Sequence, residues 1–375
     1  MHCVMRWTCG VELKGKSGGI SVIVIDRETA EALALGGGVL GAGGGGNWRE
    51  GLRYLQLAME IGRPHLVSLD ALPPEATVVT VSGVGSPAAT ERDVRVSDYL
   101  EALELLIERA GIQPGGLISS ENGGASSANG FVQSALTGIP VVDAPANGRA
   151  HPTGVMGSMG LHRLPGYLAR QTAVGGTPER RVCLYVEGSL ASVDQVVRQA
   201  AVSAGGLVAV ARNPVTADYV RENGAPGALT LAIELGRLIL SHKDQGGMRV
   251  AETLLEYFGA GECLGPAIVQ EAALETRGGY DIGQIRIGEA ETRFWNEFMT
   301  VEISGVRKAS FPDLIFALGA EDGLPYNTAE LRPGNEVVLV WISKERLPLG
   351  TGVRGPDALK SVETALGVSL APQEA

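Results

Sequence analysis

Apolar and polar positions follow two different rhythms along the chain, and the change between them divides it. In the first part, short apolar runs that read as buried strands alternate with segments whose apolar residues recur every three or four positions. Residues 21–25, 65–69, 77–81, 117–118 and 139–142 are the strand-like runs. Asp26 stands as the cap of a helix with Glu28 and Thr29 in its first turn, running through Leu33 and Leu35 into Gly36-Gly37-Gly38. Residues 48–61 carry an apolar stripe of Trp48, Leu52, Leu55 and Met59. Residues 97–110 open on Ser97 as a cap, point Leu100, Leu103 and Ile107 inward and stop at Gly111. A shorter helix is expected over 126–136.

Further on, residues 181–186 and 207–211 read as strands around a helix at 192–204, with Val193, Val196, Val197 and Ala200 inward. Helices are expected at 216–223, 229–242 and 248–258. From Ile268 onward the period is two, with strands at 283–287, 295–303, 306–309, 314–318 and 336–342 and turn signals between them. The fold class implied is α/β. An N-terminal extension (1–20) precedes a layered α/β domain (21–165), and an α+β domain (166–375) that is β-rich after residue 268 follows. The last residues, 371–375, are expected to fray. No internal repeat is visible.

The densest chemistry lies where two of these strands end. After the run at 117–118 come Ser119, Ser120, Glu121, Asn122, Gly123 and Gly124; after the run at 139–142 come Asp143, Asn147, Arg149 and His151. Ligands in open α/β sheets sit outside the carboxyl ends of strands. Glu121 and Asp143 are therefore the candidate acid–base pair, since two adjoining carboxylates drive their pKa values apart. Arg149 offers a planar fork for an oxyanion, and His151 a proton shuttle or a metal ligand. A bland reading stands beside each: Glu121 and Asn122 as caps of the next helix, Asp143 as a turn bonded to its own backbone with Arg149 as an ion-pair partner. The glycine run Gly41 to Gly46 leads into the helix at Trp48, so its free N–H groups suit an anion or a carbonyl oxygen. It lacks the Lys-Ser/Thr of a nucleotide loop and follows a helix rather than a strand, against a dinucleotide fingerprint. Late in the chain, Asn296 and Glu297 reach the site if the two domains close on a cleft.

Composition narrows this picture. The 375 residues carry a formal net charge of -11, which opposes a general nucleic-acid footprint. Four cysteines (Cys3, Cys9, Cys183 and Cys263) show no CxxC spacing, so free thiols and a cytoplasmic location are expected, with Cys183 in the core. No apolar run is long enough to span a bilayer, and the first residues lack the apolar stretch of a signal peptide. The five histidines show no metal-binding spacing. Glu121, Asp143 and His151 remain a possible mixed oxygen and nitrogen site, and the cofactor is left open. Ser158, in Gly157-Ser158-Met159-Gly160, lacks the spacing of a nucleophile elbow.

Taken in order, the glycine run Gly41 to Gly46, Glu121-Asn122-Gly123-Gly124 with Asn129, Val141-Val142-Asp143-Ala144 through Gly148-Arg149-Ala150, Asn296-Glu297, Pro312-Asp313-Leu314-Ile315 and the segment 328–334 form a pattern. The chain resembles the S-methyl thiohydantoin desulfurase domain family, which is associated with hydantoinase and oxoprolinase enzymes. The resemblance covers about 27–367. It departs from the family pattern at His151-Pro152-Thr153, where an aromatic and Pro-Glu are common, and at Asn122, where an apolar residue is common. It implies a hydrolase of a small cyclic amide such as a hydantoin or S-methyl thiohydantoin. Glu121, Asp143, Arg149 and His151 are the expected catalytic residues. Gly43, Gly44, Gly45, Gly46, Asn122, Asn129, Asn147, Asn296 and Glu297 are expected to bind substrate. The alternatives are a non-catalytic accessory subunit or binding module of a hydantoinase-type partner, a metal-dependent enzyme, and, for either enzyme, a homo-oligomer.

Overall fold

The computed structural model describes residues 21–86 and 88–370. The expected N-terminal extension and frayed C-terminus lie outside these residues. Two eight-stranded sheets organise the chain. The first is built from β1 (Val22–Val24), β2 (His65–Val67), β3 (Thr77–Gly85), β4 (Pro114–Ser119), β5 (Val141–Val142), β6 (Ala169–Gly175), β7 (Val182–Gly188) and β8 (Leu207–Thr216). Their order across the sheet is β1-β2-β5-β4-β3-β8-β6-β7. The central strands β2, β5, β4 and β3 run parallel, and β1, β8, β6 and β7 are added antiparallel to their neighbours. Parallel strands covered on both faces need continuous apolar runs, and Val78, Val79, Val81, Leu117, Ile118, Val141 and Val142 are all fully buried.

The second sheet is antiparallel throughout. Its strands are β9 (Glu262–Arg277), β10 (Tyr280–Ile287), β11 (Ala290–Trp295), β12 (Glu297–Ile303), β13 (Val306–Ser310), β14 (Leu314–Gly319), β15 (Pro325–Tyr326) and β16 (Glu336–Ile342), in the order β13-β12-β11-β10-β9-β16-β14-β15. One face encloses Ile285, Phe294, Phe298, Ile315, Leu339 and Trp341 as a core of its own.

The helices are α1 (Arg27–Leu40), α2 (Trp48–Ile61), α3 (Val96–Ala110), α4 (Phe131–Thr137), α5 (Leu190–Ser203), α6 (Ala217–Asn223), α7 (Ala228–His242), α8 (Gly247–Phe258) and α9 (Pro356–Leu366). The largest apolar cluster joins α1, α7 and α8 to Leu66 and Val141 of the first sheet and to Leu314, Phe316, Val338 and Val340 of the second. A helical layer thus lies between the sheets, which explains why α1 is apolar nearly all round. α3 packs on the same face of the first sheet as this layer, beside α2 and α4, and the opposite face is covered by α5 and α6.

The order of elements follows the sequence pattern, with specific differences. Gly36, Gly37 and Gly38 lie inside α1 rather than ending it. The N-cap of α3 is Arg95, not Ser97, and the Asp98 carboxylate accepts the Arg95 N–H at 2.8 Å. The expected helix over 126–136 is a 3-10 turn (Ser126–Ala128) and the separate α4, divided at Gly130, whose φ is 94°. The expected strand 295–303 is β11 and β12, broken at Asn296, whose φ is 57°. Val196 is exposed, and Asp194 and Arg198 take places on the buried face of α5. Cys183 is exposed because β7 is an edge strand with one face to solvent. The first sheet also draws β6, β7 and β8 from beyond Pro165, where the sequence places a boundary. None of the described helices is long and apolar enough to cross a membrane.

Candidate active site

The carboxyl ends of β3 and β4 open into a cavity of about 110 Å³. Its floor is the turn after β4, which is fixed by bonds to the turn after β5. Asn122 N–H donates to Asn147 O at 3.1 Å and Ala146 N–H to Ser119 O at 2.9 Å. The fully buried Asn122 side chain spends its amide on Gly148 O and Ala228 O and accepts from Ser127 Oγ. Asn147 donates to Arg149 O and accepts from Gly350 N–H. Both asparagines build the turns and neither lines the cavity.

The glycine loop lies against this floor. Gly45 O accepts both Ala125 N–H and Ser126 N–H at 3.0 Å. The approach is so close that a Cβ on Gly45, where φ is 66°, would stand 2.6 Å from Gly123 Cα. Only glycine satisfies both conditions. Gly45 and Gly46 line the cavity, and among the described residues their N–H groups have no hydrogen-bond acceptor. Gly43 instead gives its carbonyl to Thr328, and Gly44 packs on the Glu297 carboxyl.

Two carboxyls from distant parts of the chain meet here. Glu121 Oε1 accepts Ser126 Oγ–H at 3.0 Å, and Oε2 accepts the His151 N–H at 3.0 Å. His151 Nδ1 also stands 3.0 Å from Oε2, without the angle of a directed hydrogen bond. Burial raises the Glu121 pKa, but the imidazole and these hydrogen bonds outweigh it and hold the carboxyl below its usual range. Glu297 enters from the second domain, directly after the Asn296 kink. It is buried, and its Oε2 has no hydrogen-bond partner. Burial, then the charge of Glu121, raise its pKa well above the ordinary carboxylate value, against the pull of Arg149. The two pKa values are thus driven apart, Glu121 toward the ionised form and Glu297 toward the protonated one.

Arg149 lies fully buried beside this pair and outside the cavity lining, stacked on Phe311 at 4.9 Å and donating to Phe298 O. Burial lowers its pKa to about 10, with Glu297, Asp313 and Glu121 opposing. It serves as a fixed positive field behind the carboxyls.

Asp143 does not meet Glu121. Its carboxylate accepts Leu229 N–H at 2.8 Å, Thr230 N–H at 3.3 Å and Thr230 Oγ–H at 2.5 Å, closing the first turn of α7. Unpaired N–H groups at a helix start draw such an acid. Its burial raises the pKa in spite of these bonds. The triangle of Glu121, Asp143 and His151 is therefore not formed. Among the described residues no three His, Cys, Asp or Glu side chains gather to hold a metal ion.

Glu121, Asn129, His151, Asn296, Glu297, Gly45 and Gly46 thus share one cavity. Its wall adds residues that the sequence pattern did not single out: Ser120, Tyr54, Tyr99, Glu50, Arg92, Arg198 and Arg212. A signal existed for two of them. Arg198 interrupts the apolar stripe of α5, and Arg212 ends the apolar run of β8, positions where a charge is costly without a purpose. Ser158, by contrast, meets His162 Nδ1 at 3.3 Å, and His162 Nε2 lies 2.6 Å from Asp357. That serine is fully buried and does not line the cavity, so the array ties α9 to the first domain.

Comparison with known proteins gives two family matches. A model described as S-Me-THD-like, N-terminal domain, matches residues 28–176, and one described as S-Me-THD-like, C-terminal domain, matches residues 189–359. The crystal structure of a structural-genomics protein from Chromobacterium violaceum is similar over 94% of this chain and 100% of that one, with a TM-score of 0.71 and 20% identity, a likeness of fold. None of the curated proteins compared with the chain matches it.

Proposed function

The chain belongs to the S-Me-THD-like family, and on that premise we propose that it hydrolyses a small five-membered cyclic amide of the S-methyl thiohydantoin or hydantoin type. The observation that carries this reading is the pair of buried carboxyls at one cavity in unlike surroundings, Glu121 held by hydrogen bonds and an imidazole that lower its pKa, Glu297 with an unpartnered oxygen and its pKa raised by burial. General acid–base hydrolysis needs one group to take a proton from water and another to give one to the leaving group. Glu121 replaces Asp143 as the sole base, and Glu297 moves from substrate binding to the acid.

For S-methyl thiohydantoin the steps balance. Glu121 takes a proton from water as its oxygen bonds to the ring carbon between the two nitrogens. Charge builds on the ring nitrogen and its conjugated carbonyl oxygen, and the unpartnered Gly45 and Gly46 N–H groups that line the cavity are the donors assigned to it in this reading. The carbon–sulfur bond then breaks, Glu297 protonates the departing sulfur, and methanethiol leaves. The added oxygen loses its proton to the Glu297 carboxylate and becomes the hydantoin carbonyl, while Glu121 passes the proton it took from water to the ring nitrogen, which restores both carboxyls to their starting states. His151 keeps Glu121 oriented through its backbone N–H and its ring.

The test is methanethiol release from S-methyl thiohydantoin in ¹⁸O-labelled water. The reading expects one labelled oxygen per hydantoin, and a loss of turnover of roughly 10²–10⁴ in both Glu121→Gln and Glu297→Gln. Full activity in either variant removes that residue from the mechanism. No turnover on a panel of hydantoins and S-methyl thiohydantoins removes the reading.

A further inference from the structure

Ser120 follows β4 directly, is 3% exposed and lines the cavity one residue before Glu121. Its hydroxyl has no part in the hydrolysis set out above. Arg212 Nη2 donates to Ser120 Oγ at 2.8 Å. A serine oxygen has two lone pairs and one proton, and a guanidinium accepts nothing. Arg212 therefore fills an acceptor position and turns the proton away from itself. Among the described residues no acceptor takes that proton. The open side is the cavity, so the O–H is left as a donor directed into it.

The arginine is itself fixed. The buried Asp194 carboxylate stands beside it and is the strongest opposing charge it feels. Gly154 makes room for this meeting: a Cβ there would overlap Asp194 Oδ1 and stand 2.9 Å from Arg212 Nη1. On the other side, a Cβ on Gly157 would overlap His151 Nε2 and stand 3.1 Å from Ser120 Oγ. The serine hydroxyl and the imidazole thus crowd the same glycine. The other ring nitrogen, His151 Nδ1, lies 3.0 Å from Glu121 Oε2. Ser120 therefore belongs to the side of the cavity where Glu121 and His151 stand.

We propose that Ser120 is a further catalytic residue, whose O–H holds the oxygen that enters the ring, first as the attacking water and then as the new carbonyl, with Arg212 and Asp194 as its positioning residues. The assignment rests on the ring hydrolysis proposed above for the same cavity. Water that only meets Glu121 is free to turn about that one contact, and a second contact fixes its direction of attack. The hydroxyl occupies one lone pair of the water, Glu121 takes one proton, and the remaining lone pair faces the ring carbon between the two nitrogens. Ser120 keeps its own proton throughout, so the balance of the reaction is unchanged. The S-methyl substrate carries sulfur at that carbon, so the hydroxyl meets the incoming oxygen and not an atom of the bound ring.

Steady-state kinetics of the full-length protein on S-methyl thiohydantoin read this role as a split. Ser120→Ala should lower kcat roughly 10- to 100-fold and leave KM near wild type. Arg212→Lys should lower kcat alone but add little in Ser120→Ala, because it acts through the hydroxyl. Product binding supplies an arm that needs no variant, so a misfolded variant leaves it intact. By calorimetry, wild type should prefer hydantoin to 2-thiohydantoin, whose sulfur at the same carbon is the weaker acceptor, by roughly 3- to 10-fold. Ser120→Ala should lose that preference. A raised KM with kcat retained overturns the assignment, since the hydroxyl would then hold the substrate. So does equal binding of the two rings by wild type. A full further loss in the double variant overturns the positioning role of Arg212. Wild type that neither turns over the substrate nor binds either ring removes the ring hydrolysis itself, and the part of Ser120 with it.

Discussion

Glu297 keeps a carboxyl oxygen buried and without a partner, a state that a protein tolerates where the group is put to use. Its protonation has a cost that can be measured. A carboxyl whose folded pKa lies above its unfolded value contributes stability below the unfolded pKa, and loses it as pH rises toward the folded one. Glu297→Gln, a permanent mimic of the protonated form, should therefore gain stability relative to wild type above the usual carboxylate range, as seen in melting temperature against pH. The Glu121 contribution has the opposite sign: it is present above the usual range and lost as pH falls through the lowered folded pKa. Turnover should follow a bell, with its acid limb below the ordinary glutamate range and its alkaline limb above it, and Glu297→Gln should lower the turnover and remove the alkaline limb rather than shift it. Both glutamates were visible in the chain as site candidates. Their partnership was not, because Asp143 also stands just past a buried strand and looks the same in sequence. What separates them is Leu229 and Thr230, whose N–H groups claim the aspartate from far along the chain.

At the scale of elements, Asp143 is a cap. Asp143→Ala should cost about 1–2 kcal/mol of stability, the worth of a strong helix cap, measured by urea denaturation. Activity per folded molecule should stay near wild type, whereas an acid in the mechanism would lose it. The crossing of α1 and α7 makes a second demand. A Cβ on Gly236 would overlap the Ala32 carbonyl, and one on Gly36 the Ala232 carbonyl. Gly236→Ala should cost roughly 1–3 kcal/mol through overpacking, read from the denaturation midpoint. Local propensity reads Gly36-Gly37-Gly38 as a helix end, and the close approach of a partner helix overrides it. The same limit hides the kink at Asn296. Residues 295–303 read as one strand in sequence, and the Asp281 backbone, bonded to Asn296 N–H at 2.7 Å and to its Oδ1 at 2.9 Å, marks the break that turns Glu297 inward.

The α/β class and the β-rich tail after residue 268 were legible in the chain, since buried strands alternating with helices and a run of period-two strands differ in pattern; the pairing of the strands into two sheets was not. That the domains share one site was legible only as the condition that they close on each other. Asp281 fastens that closure. Fully buried on β10, it accepts Ser86 Oγ–H and Thr276 Oγ–H at 2.6 Å and Ala88 N–H at 2.8 Å. Asp281→Ala should cost about 2–4 kcal/mol, from lost hydrogen bonds to a charged group and donors left unpaired, as measured by urea denaturation. It should also lower turnover more than any surface variant of the second domain, because Glu297 would lose its fixed approach to Glu121.

Acid–base work by this pair requires Glu297 to be protonated while Glu121 is not, in one cavity at neutral pH. Infrared difference spectroscopy between wild type and Glu297→Gln at pH 7 reads this directly. Wild type should show a protonated-carboxyl C=O stretch that disappears in the variant and shifts when a ring ligand fills the cavity. A difference spectrum showing only ionised carboxylate bands for Glu297 at that pH would contradict it.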